Sequence, residues 1–201
     1  WSLILVNPFL QILQISLSQN EHLNLEGLFA PETYFYKSGD LLSELLERAY
    51  RIQEKNLNDA WFSRSLNIPY QNKYDLLILA SIIEKEGPEK LKIAGVFLRR
   101  LKLGMKLQTD PTVIYAMGRN YHGNIRKKDL LMKHPYNTYY IKGLPPGPIS
   151  MPNKSSIIAA SQLDNETALF FVSKGDGTHY FSDTYEEHRR AVIEYQLKNE
   201  G

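Results

Sequence analysis

Two glutamates, Glu84 and Glu86, are the residues of this sequence best placed to do acid–base chemistry. They close the stretch Asp75-Leu-Leu-Ile-Leu-Ala-Ser-Ile-Ile-Glu-Lys-Glu86, in which Ser81 alone is polar between Leu76 and Ile83. A helix this apolar belongs in a core, buried on most sides. Asn72 with Asp75 gives it a start signal and Gly87-Pro88 a stop. Its last turn carries the negative end of the helix dipole, which disfavours a charged carboxylate. Glu86 continues the apolar face of Leu79, Ile82 and Ile83, whereas Glu84 follows the smaller, more polar Leu77, Ala80 and Ser81. Desolvation there raises a carboxyl pKa, which is how a general acid is made. Glu86 is therefore the better candidate acid. The plainer alternative is a pair of solvated glutamates at a frayed helix end.

Other chemistries find little support. The sequence has no phosphate-binding glycine loop, no nucleophile elbow and no closely spaced His pair for a metal. Its five histidines are dispersed, and the absence of cysteine excludes disulfides, thiolate metal sites and a cysteine nucleophile. Asp110 is the second candidate carboxylate, although Asp110-Pro111 also reads as a helix start with Asp at the cap and Pro at the first helical position. Gln108, Thr109, Asn137, Thr138 and Tyr139 offer neutral hydrogen-bonding groups beside aromatics, as a polyhydroxylated ligand needs. Thirteen tyrosines suit stacking on sugar rings, and ordinary half-buried packing, the default reading, equally well.

The elements around these residues form a mostly helical pattern with a small β component. Phe29 to Tyr36 reads as a short strand or extended segment. Asp40 caps a helix carrying Leu41, Leu45, Ala49 and Ile52, and residues 56–71 read as a polar connection. After the central helix, Ile93 to Leu101 forms an amphipathic helix closed by Gly104, and Asp110 opens a short one ending near Gly118. Residues 119–153 show little periodicity, and a loop this long in a compact domain is usually functional. The prolines between Gly143 and Pro152 stiffen it into a candidate wall. Residues 154–163 read as helical. Leu169 to Ser173 and Thr178 to Ser182 read as a hairpin around Lys174-Gly-Asp-Gly177. Asp183 with Glu186 forms a capping box for a last helix whose Tyr185, His188, Val192 and Tyr195 share a face. A chain of 201 residues, 43% hydrophobic, can bury one core, and a net charge of +2 without basic runs gives no sign of nucleic-acid binding. Residues 1–17 are apolar but broken by Asn7, Pro8, Gln11 and Gln14, too short and interrupted for a membrane span. They suggest a chain that opens mid-structure.

The runs LASIIEKE (79–86), VFLRRL (96–101), GMKLQTDPTVIY (104–115), YNTY (136–139), GLPPGPI (143–149) and HYF (179–181) resemble the catalytic region of the YceG-like family, the endolytic murein transglycosylases of the MltG type. The resemblance covers roughly residues 25–198. It implies an α+β fold with a lysozyme-like active-site helix ending in Glu, a catalytic domain over 25–201, and a remnant of a preceding region over 1–24. It puts catalysis on Glu86, the second glutamate of the E-K-E triplet. Substrate contacts fall on Gln108, Thr109, Asp110, Tyr115, Asn137, Thr138, Tyr139, Pro146, Gly147, His179 and Phe181, with neither metal nor cofactor. The implied reaction cleaves the β-1,4 bond between N-acetylmuramic acid and N-acetylglucosamine in peptidoglycan strands, leaving 1,6-anhydro ends, with Glu86 acting first as acid and then as base. A hydrolytic muramidase using Glu86 with Asp110 and a non-catalytic glycan-binding module are the competing readings. Family members sit on the outer face of the bacterial cytoplasmic membrane through a single-pass N-terminal anchor outside these residues, with peptidoglycan synthases of the elongation machinery as candidate partners. This sequence departs from the family pattern at Gly87, where Thr is usual, at Arg99, where Asn is common, and at Met151 and Asn153. The arrangement expected is a groove holding the Glu86 carboxylate, walled by residues 108–115, 136–149 and 179–181.

Overall fold

A computed structural model describes residues 25–197; the reading of residues 1–24 as a remnant lies outside them. Phe29 to Tyr36 is extended but joins no sheet. Helix α1 (Leu42–Phe62) starts after Leu41, not Asp40, whose carboxylate instead accepts from the Lys37 amide at 2.9 Å. It also continues through part of the segment expected to be a connection. Residues 56–59 are mostly polar, but Gln53, Asn56 and Ala60 form its buried stripe. Gln53 Nε2 donates to the carbonyls of Gly27 and Pro152, both at 2.9 Å, so a polar side chain earns a core position by satisfying loop backbone.

Helix α2 (Lys73–Glu86) is the centre of the molecule: Leu76 to Ile83 are all buried. Asn72 caps it, its side chain accepting from the Asp75 amide at 2.9 Å, and Gly87 ends it. Against it pack α3 (Lys90–Lys102), α6 (Lys154–Ser161) and α4 (Asp110–Met117), the last also touching the one-turn α5 (Lys127–Leu130). Ile93, Phe97, Leu98, Leu107, Ile149 and Ile157 complete the core around α2.

The proline-rich loop is a buttress. The Ile149 amide donates to Ser81 Oγ at 3.0 Å and Ser150 Oγ donates to the Ser81 carbonyl at 2.9 Å, clamping the loop onto α2. Pro148 fits against Gly27, where a Cβ would come within 2.9 Å of the ring. The only sheet among the described residues is the antiparallel pair β1 (Phe170–Ser173) and β2 (His179–Ser182), in register from Phe170↔Ser182 to Ser173↔His179. The chain entering β1 is tied to α3 by the Arg99–Asp164 ion pair and by Arg99 Nε donating to the Ala168 carbonyl at 2.7 Å. Gly95 makes room for it, since a Cβ there would lie 2.0 Å from Asp164 Oδ2. The last helix, α7 (Tyr185–Val192), has its capping box one residue later than Asp183 suggests: Thr184 and Glu187 cap each other reciprocally. Thr reaches the amide as well as Asp does, and the hairpin ends at Ser182.

Candidate active site

Helix α2 ends at the floor of a cleft of about 450 Å³. Glu86 faces it from the last turn, together with Arg100 from α3, Gln108 and Asp110 from the start of α4, Tyr139, and the hairpin residues Phe170 to Ser173 and His179. Tyr185, His188 and Val192 of α7 close the far side.

Glu86 is held by a side-chain hydrogen bond. The Thr109 hydroxyl donates to its Oε1. Thr109 is itself locked by two other buried threonines: its amide donates to Thr138 Oγ1 at 3.0 Å, Thr138 Oγ1 pairs with Thr112 Oγ1 at 2.8 Å, and Thr112 Oγ1 donates back to the Thr109 carbonyl at 2.7 Å. This closed ring fixes the hydroxyl aimed at the carboxyl. Gln108, just before it, is the one non-glycine residue with a positive φ (51°) among those described, a conformation held by its amide bonding to the Thr138 carbonyl at 3.2 Å.

Burial dominates the electrostatics. It pushes Glu86 up to about 7; the Thr109 hydrogen bond and Arg100 oppose the rise, and the Asp110 charge adds to it. Arg100 sits within the wall: Nε donates to the Leu169 carbonyl at 2.6 Å, Nη1 to the Leu107 carbonyl at 2.7 Å, and its guanidinium lies 5.0 Å from the Phe170 ring centre. Tyr139 donates its hydroxyl to Asp110 Oδ1 at 2.6 Å, and burial with that bond raises its own pKa, keeping it a donor. Thr109, not Asp110, occupies the cap position of α4, so the Asp110 carboxylate serves Tyr139 and the cleft instead of the helix end. Here the Asp-Pro pair misleads by one position, Pro being tolerated throughout the first turn.

Glu84 is not a solvated neighbour. Burial alone would raise its pKa, but hydrogen bonds from Ser156 Oγ at 2.6 Å, Lys90 Nζ at 2.9 Å and the Asn153 amide at 3.1 Å hold it below the usual carboxylate range. It fastens the end of α2 to the start of α6 and has no place in the cleft. The two carboxylates are separated by environment, one held below the usual range and one raised to about 7.

Of the residues singled out in the sequence, Glu86, Gln108, Asp110, Tyr139 and His179 meet at the cleft, and Thr109 reaches it through Glu86. Thr138 is buried behind Thr109, and Asn137 donates to the Leu130 and Met132 carbonyls at 3.0 and 2.8 Å, shaping the loop. Tyr115 packs against Tyr136 in a tilted pair at 4.8 Å, Phe181 packs beside Phe171 at 5.9 Å, and Pro146 and Gly147 lie on the buttress loop; none of these lines the cleft. The wall expected from 143–149 is thus built by β1 and α7. Arg100, Phe170, Tyr185 and His188 were not singled out as site residues. Arg100 left a trace, because it follows Ile93, Val96 and Phe97 on the buried face of α3, where a charge needs a reason. Among the described residues, no cluster of three or more His, Asp or Glu is arranged to hold a metal.

The chain is similar to known proteins. A Bacillus subtilis protein named endolytic murein transglycosylase is 39% identical over 180 residues, covering 88% of this chain and 49% of that protein. One of the same name from Streptococcus pneumoniae is 31% identical, covering 85% of this chain and 32% of its own length. The chain therefore spans about half or less of these relatives. A crystal structure of a yceG-like protein from Listeria monocytogenes superposes with a TM-score of 0.75 at 33% identity, over 92% of this chain and 64% of that one. The YceG-like family profile matches residues 7–194, and the chain belongs to that family.

Proposed function

We propose that this chain is the catalytic unit of an endolytic murein transglycosylase, which breaks the bond between N-acetylmuramic acid and N-acetylglucosamine inside peptidoglycan strands without consuming water. The observation that carries the reading is the desolvated Glu86 carboxyl at the cleft floor, raised to about 7 and so about half protonated at neutral pH. It gives its proton to the leaving oxygen as the C1–O bond of the muramic residue breaks. The C6 hydroxyl of the same sugar then attacks C1 and loses a proton. The Glu86 carboxylate left by the first step is one acceptor for that proton. Anchorage by a preceding segment and work beside peptidoglycan synthases belong to the same proposal. Among the described residues no helix is long and apolar enough to cross a membrane.

Digestion of intact sacculi followed by mass spectrometry of the fragments tests the reading. Fragments should end in 1,6-anhydromuramic acid, and free reducing ends alone would convert the assignment to a hydrolase. Asp110 supports that second reading, because it lines the same cleft and a two-carboxylate glycosidase needs a partner there. Asp110→Asn separates the two. With Glu86 acting alone, the variant keeps substantial turnover, since Asn still accepts from Tyr139. Its alkaline limb moves to lower pH, because the Asp110 charge that helped hold the proton on Glu86 is gone. Abolished turnover in a folded variant would favour the hydrolase.

A further inference from the structure

The cleft contains a second proton-accepting group built with care. His179 opens β2 and its side chain is only 9% exposed, yet it lines the cleft. Its Nδ1 lies 3.0 Å from Glu89 Oε2, and the same oxygen accepts the His179 backbone amide at 2.7 Å. A carboxylate can only accept, so Nδ1 carries the hydrogen and the lone pair of the neutral ring is on Nε2. Nε2 has no partner among the described residues. The ring is braced edge-on by Phe171 at 5.3 Å and Phe181 at 6.2 Å. It also lies against Gly87, the residue after Glu86: a Cβ there would come within 2.8 Å of Cε1 and 3.8 Å of Nε2. A base oriented by a carboxylate, beside the acid and open to the same cleft, is the arrangement proton abstraction requires.

Resting on the transglycosylase reading, we propose that His179 Nε2 takes the proton of the C6 hydroxyl, with Glu89 as its positioning residue. Glu86 protonates the leaving oxygen, which departs with the C1–O electron pair. O6 forms the new bond to C1, and its proton passes to Nε2. The resulting imidazolium faces the Glu89 carboxylate, and returning that proton to the Glu86 carboxylate through cleft water restores both groups. No water molecule is consumed. His188, the other imidazole in the cleft, is unsuited to the task. Its Nδ1 is buried without a partner, its ring stacks on Phe170 at 5.3 Å, and burial with the nearby Arg100 cation disfavours its charged form.

The test is digestion of sacculi by wild type, His179→Ala and His179→Gln, with rate, product ends and melting temperature read together. His179→Gln keeps an amide for Glu89 but has no basic nitrogen, so it stands in if the smaller side chain loosens the hairpin. With Glu86 intact the bond still breaks, but O6 is no longer activated and water competes for C1. Turnover should fall by at least about 10²-fold, and a rising share of fragments should carry free reducing ends. Glu89→Gln should fall between wild type and His179→Ala in both readouts. The proposal is overturned if folded His179 variants keep turnover within about tenfold of wild type, or if slower variants still yield only anhydro ends. Wild-type products settle the parent reading separately, since anhydro ends there stand whatever the variants do.

Discussion

Glu86→Gln is expected to lower release of anhydro-ended fragments by at least about 10²-fold while leaving binding to glycan strands intact. Gln keeps the shape of Glu and can still accept the Thr109 hydroxyl, so the threonine ring that supports it has no reason to rearrange. What disappears is the proton for the leaving oxygen. Glu84→Gln should do the opposite. It loses the ion pair with Lys90 and weakens the bonds from Ser156 and Asn153, which should lower stability by roughly 1–2 kcal/mol with turnover largely kept. Measuring fragment release and melting temperature on both variants decides the assignment. A dead Glu84→Gln beside an active Glu86→Gln would overturn it.

The second large effect is a pH-dependent gap in stability between wild type and Glu86→Gln. In the folded protein the Glu86 pKa stands near 7, above its ordinary 4.5, because burial opposes the charge. The native state thus holds a proton that the unfolded chain releases across that window. Stability from this group is full below about pH 4.5 and is lost as pH rises through 7. At roughly 1.4 kcal/mol per pKa unit, the ionised carboxylate costs about 3 kcal/mol at pH 8, and Gln does not carry that cost. The variant and wild type should melt together near pH 4, and the variant should melt roughly 5–10 °C higher at pH 8. Other carboxyls titrate in both proteins and cancel in the difference. Turnover by wild type should fall over the same range, as the acid form is lost. A gap that stays flat with pH would mean that the Glu86 carboxyl is not desolvated.

The central helix and the place of Glu86 at its end were legible because they rest on local, repetitive signals: an unbroken apolar run, a capping Asn72, a Gly-Pro stop and a glutamate in register with Leu79 and Ile83. The hairpin was legible for the same reason. What escaped was tertiary. Nothing near Asn56 says that Gln53 will find two loop carbonyls to bond, and without them the polar half of α1 reads as a connection. The prolines between Gly143 and Pro152 imply a stiff loop, but a stiff loop can face a ligand or a helix. The choice of helix rests on Ser81, whose hydroxyl and carbonyl take two contacts from 68 and 69 residues away. Asp110 was read as a cap because the sequence cannot show Tyr139 reaching across to it. Glu89 carried no signal at all: its partner lies 90 residues downstream.

One wall of the cleft differs in kind from the others. Glu86 stands on a helix sunk in the core, whereas His179 stands on a ribbon of two short strands, and a lone hairpin of that size is marginally stable in water. Its order is borrowed from the Arg100 and Phe97 contacts beneath it and from α7 beside it. The ribbon is therefore expected to open at a lower free-energy cost than the helix at the floor. A polymer that is long in both directions cannot be threaded from an end. Under the function proposed above, a strand laid in sideways between that floor and that ribbon would place Glu86 and His179 beside a bond far from either terminus.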